Sequence, residues 1–161
     1  MKTHLLARRI IAVERRIRIP AAPNRVFAYA ADLRNDAKWR AEVHATVLDT
    51  AQPGVGAVAT EDAFLSAKRP HSLTQLTYVA YEPDAGLMHC ATAAGAPYWM
   101  SVRRTCRLLN TGATEFVYAL QFEQKLVADA IGFAPPGWFL RWYSGWMMSR
   151  YLRTLKRLLT G

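Results

Sequence analysis

Hydrophobic and polar positions alternate with a period of two over most of this chain and change to a helical period at its end. In residues 11–19, Ile11, Val13, Ile17 and Ile19 share one parity, while Glu14, Arg16 and Arg18 share the other. That is the pattern of a half-buried strand. Arg15 falls on the apolar parity with no evident reason. Pro20 and Pro23 close the strand, and Asn24 is placed to cap a short helix carrying Val26, Phe27 and Ala30. A second short helix is predicted over 35–40, with Trp39 on it. Strands are then predicted over 43–50, 57–64, 73–81, 87–93, 98–109 and 114–124. Turn signals separate them: Pro53-Gly54, Glu82-Pro83-Asp84, Gly95-Ala96-Pro97 and Asn110-Thr111-Gly112. Serial strands with short turns make an antiparallel meander.

The last element differs. Residues 138–159 contain no proline, and Leu152, Leu155, Leu158 and Leu159 recur at spacings of three and four behind Met148. Arg150, Arg153, Lys156 and Arg157 populate much of the opposite surface, so this is a long amphipathic helix. The layout is α+β: a curved antiparallel sheet around a long C-terminal helix, with two short helices after the first strand. The terminal helix is the one element long enough to cover the sheet's apolar face, and a gap between them would form a hydrophobic pocket.

Composition narrows the function. With 161 residues, 52% of them hydrophobic, the chain reads as one domain over 1–161 with its core at about 11–159. The 21 basic residues outnumber 12 acids, giving a formal charge of +9. Such a surface favours anionic partners. The basic residues are dispersed and no nucleic-acid-binding motif is present, so nucleic acid is not the expected partner. Two cysteines, Cys90 and Cys106, support neither a disulfide framework nor a zinc site, and the four histidines show no metal-ligand spacing along the chain. No run approaches the ~20 apolar residues of a membrane span, and Arg8 and Arg9 interrupt the short apolar start. The expectation is a cytoplasmic monomer or homodimer without cofactor or metal.

One stretch, Ile19-Pro20-Ala21-Ala22-Pro23-Asn24-Arg25-Val26-Phe27, with Asp32, Trp39, Val55-Gly56, Tyr81-Glu82-Pro83, Gly112-Ala113-Thr114 and Leu152-Arg153-Thr154-Leu155-Lys156, resembles the START/Bet v 1-like (SRPBCC) superfamily, in its polyketide cyclase/dehydrase-like branch. The resemblance covers nearly the whole chain, with Ala113-Thr114 where the family usually has Gly-Thr. It implies a helix-grip fold and a cavity for a lipophilic ligand, with no cofactor. It implies no single reaction, because the superfamily shares no catalytic motif.

Strand parity nominates the residues facing that cavity. Tyr98, Met100, Val102, Arg104, Cys106 and Leu108 share a face, and Arg104 interrupts it. A buried guanidinium needs a carboxylate, carbonyls or an anionic ligand; the alternatives are snorkelling to water or pairing with a fixed structural acid. Phe116, Tyr118 and Phe122 face inward from the next strand, and the Tyr118 phenol suits a carbonyl or enolate oxygen. His89 is a candidate general base, against an ordinary half-buried imidazole. Glu61 is the candidate acid, able to pair with Arg104, with Asp62 taking its place if the register is reversed. Trp39 and Tyr81 also reach toward the cavity, and Trp138, Trp142 and Trp146, with Phe139 and Tyr143, would give it flat aromatic walls. Residues 127–137 read as a lid or an ordinary connection.

Two functions follow. In the first, a polyketide cyclase or aromatase folds a poly-carbonyl chain for ring closure by proximity, Arg104 and Tyr118 stabilising enolate oxygen while His89 or Glu61 moves protons. An acidic acyl-carrier protein would then dock on the basic surface. The alternative is a non-catalytic binder or carrier of a lipid, quinone or other hydrophobic metabolite.

Overall fold

The computed structural model describes residues 9–161. Its first strand, β1 (Ile10–Ile19), buries Ile11, Val13 and Ile19 on one side as the alternation predicts. Helix α1 (Pro23–Ala30) starts with proline at its first turn and takes Ala22, not Asn24, as N-cap; no side chain caps it. The predicted second helix is a 3-10 turn, Leu33–Lys38, opened by the Asp32 carboxylate accepting from the Arg34 N–H at 3.0 Å. The meander follows as β2 (Val43–Leu48), β3 (Val58–Ala63), β4 (Ser72–Glu82), β5 (Leu87–Ala91), β6 (Met100–Leu108) and β7 (Thr114–Glu123).

The seven strands form one sheet in the order β1-β7-β6-β5-β4-β3-β2, every neighbouring pair antiparallel. The long return from β1 to β2 through α1 and the 3-10 turn leaves these two strands at opposite edges. Register then decides which side chains meet. Arg104 pairs across with Met88 on one side and Tyr118 on the other, and Tyr118 pairs in turn with Arg15. Gly86 turns the chain into β5 at φ +65, where an added Cβ would collide with the Cys106 carbonyl. Only glycine fits both the dihedral and the approach.

Residues 127–137 are more than a plain connection: α2 (Gln124–Ile131) runs into them and ends at Gly132 with φ 88. The long helix α3 (Gly137–Thr160) then packs chiefly along β1. Leu140, Met148, Leu152, Leu155 and Leu159 point inward, each such apolar side chain contributing about 1.5–3 kcal/mol on burial. The position of Arg15 is explained here. Its guanidinium lies against Gly145 of α3, where any Cβ would overlap it.

Candidate functional site

The inner face of the sheet carries a connected set of charges. Arg104, on β6, is 1% exposed and reaches the 3-10 turn. Its Nη1 donates to Asp36 Oδ1 at 2.8 Å and to the Ala30 carbonyl at 2.8 Å, and its Nη2 donates to Asp36 Oδ2 at 2.6 Å. The rings of Trp39 and Tyr118, edge-on to each other at 5.8 Å, pack against the guanidinium as well, each centred 4.7 Å from its carbon. The two-pronged carboxylate, a backbone carbonyl and the two rings engage both terminal nitrogens of this planar cation, while its buried Nε has no hydrogen-bond partner.

Asp36 also accepts from Arg40 Nη1 at 2.9 Å, and Arg40 extends the network to Glu61 Oε2 at 2.9 Å and Glu42 Oε1 at 2.7 Å. Two cations therefore meet three carboxylates. Burial opposes the Arg104 charge, but the Asp36 carboxylate outweighs it and the pKa moves up. Burial raises the Tyr118 phenol, with Arg40 and Arg104 pulling it partly back. Burial and then Glu42 likewise raise Tyr151, which reaches the network from α3. These groups hold their protons and charges over the whole physiological range.

The inner face thus answers two questions left open by the sequence. Glu61 faces in and Asp62 faces out, but Glu61 meets Arg40 rather than Arg104. The partner of Arg104 is a fixed structural acid, Asp36. Parity within strands could not nominate Asp36, Arg40 or Glu42, since none lies on a strand. The available signal was an Asp and an Arg four apart around Trp39, in a turn whose Leu33 is buried.

Other nominated residues lie elsewhere. His89 is on the opposite face of the sheet from Arg104, because its strand parity matches the exposed side of β6. Its Nε2 sits 2.8 Å from Ser101 Oγ, and it lines an open depression of about 850 Å³ with Trp99, Arg103 and Val117. Burial and then Arg103 lower its pKa. Phe116 and Phe122 are buried, with Phe116 packed edge-on to Trp39 at 6.5 Å. Tyr81 packs on Phe27 at 5.3 Å and on Tyr78 at 5.9 Å. Trp138, Trp142 and Trp146 do not wall an interior cavity. They stand on the solvent side of α3, 67%, 60% and 46% exposed, because leucines and Met148 take the helix phase that faces the sheet.

Tyr98 and Met100 do border a recess, of about 800 Å³, between the start of β4 and the 92–98 loop. Met100 and Leu126 give it an apolar wall, while Thr74, Thr92 and Arg69 give it polar points. The Tyr98 hydroxyl donates to Asp129 Oδ2 at 2.6 Å and accepts from Arg69 Nη1 at 3.2 Å. That contact with Tyr98, followed by the neighbouring cations, holds the Asp129 carboxyl below its usual range. Register also assembles a group that linear spacing concealed. His44, Asp62 and His71, from β2, β3 and the residue before β4, place ligand-type atoms within 4.8 Å of one another. Both cysteines are buried, and burial pushes each thiol up to about 12.

Known structures repeat this architecture. A START superfamily protein from Mycobacterium smegmatis matches with a TM-score of 0.71 at 13% identity, covering 92% of this chain and 97% of that one. Ara h 8.0201 matches at 0.66 and 11% identity, with 94% and 99% covered. The di-domain ARO/CYC StfQ of the steffimycin biosynthetic pathway matches at 0.69 and 10% identity; this chain aligns over 94% of its length and spans 51% of StfQ. At these identities the likeness is one of fold, the helix-grip of START and Bet v 1 proteins. No curated protein matches the sequence. The sequence pattern of one family does match, over residues 11–160, and it carries the resemblance from local motifs to the whole sheet and closing helix: the chain belongs to the polyketide cyclase/dehydrase and lipid transport family.

Proposed function

We propose that this chain is a binder or carrier of an apolar small molecule bearing a terminal oxygen acceptor, held in the recess between β4 and the 92–98 loop. The observation that carries this reading is the contrast in availability between two arginines. Arg104 spends its terminal nitrogens on Asp36 and Ala30 and packs against two aromatic rings in the closed interior. Arg69 sits at an open recess beside Tyr98, within reach of a carbonyl or carboxylate. The recess volume of about 800 Å³ and its mixture of Met100, Leu126 and a few polar groups suit a ligand of drug or lipid-tail size.

Native mass spectrometry of the purified protein, followed by titration with fatty acids and quinones, tests this. Binding is expected, with Met100→Trp blocking it and His89→Ala, on the other face, leaving it unchanged. Equal binding by Met100→Trp refutes the location. A second reading, ring closure of a poly-carbonyl substrate, is favoured by the family and by the fold shared with StfQ. It would place the oxygen-stabilising group at Arg69, held by the Tyr98 hydroxyl, rather than at Arg104 and Tyr118. Appearance of a cyclised product that is lost in Arg69→Gln would establish it over the carrier.

A further inference from the structure

The solvent side of α3 is divided along its length. Its first half exposes Trp138, Phe139, Trp142, Tyr143 and Trp146, with Phe133 exposed just before it. The rings touch in series: Trp138 with Phe139 at 6.1 Å, Phe139 stacked on Tyr143 at 6.1 Å, and Tyr143 with Trp146 at 6.1 Å. At 100° per residue these side chains and the later Arg150, Arg153, Lys156 and Arg157 fall within one arc of roughly 140°. Arg150 joins the halves, its guanidinium 5.0 Å above the Trp146 ring. Beyond that point the helix closes a recess of about 270 Å³ against the 3-10 turn, bordered by Lys38, Arg150, Arg153, Arg157 and Thr154. No acid lines it, and Trp39 at its wall has an indole N–H without an acceptor.

We infer that this face of α3 docks on the surface of an anionic lipid bilayer, the aromatic half entering the headgroup–acyl boundary and the cationic half gripping phosphates. Exposed contiguous aromatic surface marks an interaction site. Trp and Tyr prefer the membrane interface because their rings are apolar and their N–H or O–H groups are not. A helix lying flat in that plane presents both halves together, and the small cationic recess has the size and sign for a lipid phosphate. No helix among the described residues is long and apolar enough to cross a bilayer, so the association is peripheral. This inference does not depend on what the β4 recess binds.

Co-sedimentation with vesicles of phosphatidylcholine alone, and of phosphatidylcholine mixed with phosphatidylglycerol, is the test. The protein is expected to bind the mixed vesicles, with a blue shift of tryptophan emission, and to be released by salt. Replacing three cations (Arg150→Gln, Arg153→Gln, Arg157→Gln) should weaken binding roughly 100-fold and flatten its salt dependence. Trp138→Ser with Trp142→Ser should weaken it about tenfold on both vesicle types. These positions are exposed, so circular dichroism should show the fold unchanged. Failure to sediment with mixed vesicles overturns the proposal, as does binding that neither variant alters. A dimer in analytical ultracentrifugation that disappears in the tryptophan variant, without vesicle binding, would reassign the face to self-association.

Discussion

The inner face of the sheet and the outer face of α3 exchange the chemistry expected of them. Five charged groups sit inside, and five large aromatic side chains of one helix sit outside. The two inversions are not equivalent. Each buried charge has a partner at hydrogen-bond distance, which offsets its desolvation and ties α1, the 3-10 turn, β3 and β6 together. The exposed aromatics contact mainly one another, so their removal from water is incomplete and the folded chain alone gives no reason for them. Paired polarity inside is architecture, and unpartnered apolar surface outside is the better guide to what the molecule meets.

Mutations can break this comparison, beginning with the strongest. Asp36→Ala leaves Arg104 without its carboxylate in the core and should cost about 3–5 kcal/mol in urea denaturation. Asp36→Leu with Arg104→Met should recover most of that loss, because no orphaned charge remains at the pair. A cost under about 1 kcal/mol for Asp36→Ala would mean that the network is hydrated and the contrast false. Trp39→Ala, which uncovers Arg104, should cost about 3–5 kcal/mol, while Trp142→Ala should stay within about 0.5 kcal/mol by the same measurement.

Thiol chemistry sharpens the picture of a closed interior. Cys90 and Cys106, with pKa values pushed up to about 12, should not react with an aromatic disulfide reagent at mildly alkaline pH until denaturant is added. Both should then react. The smallest effect concerns His89, whose folded pKa lies below 6.5. The unfolded chain therefore takes up this proton first. Stability from the neutral imidazole is complete above pH 6.5 and declines as pH falls through the lower folded value. Melting curves of His89→Gln should show a shallower acid-side decline than those of the parent.

Local pattern by itself determined the seven strands, their antiparallel meander and the closing helix, because periods of two and 3.6 residues are written in neighbouring positions. It also determined that Arg104, Tyr118, Phe116 and Phe122 share the inner side, since parity propagates along a strand. Only tertiary structure decided which charge met which. Asp36 and Arg104 are 68 residues apart, and their meeting depends on how the 3-10 turn folds over β6. Parity gave no common reference between strands, so His89 went to the outer face once register with β6 was set. The phase of α3 was settled in the same way: aromatic and leucine stripes were both available to the sheet, and packing along β1 chose the leucines, turning the tryptophans to the outside.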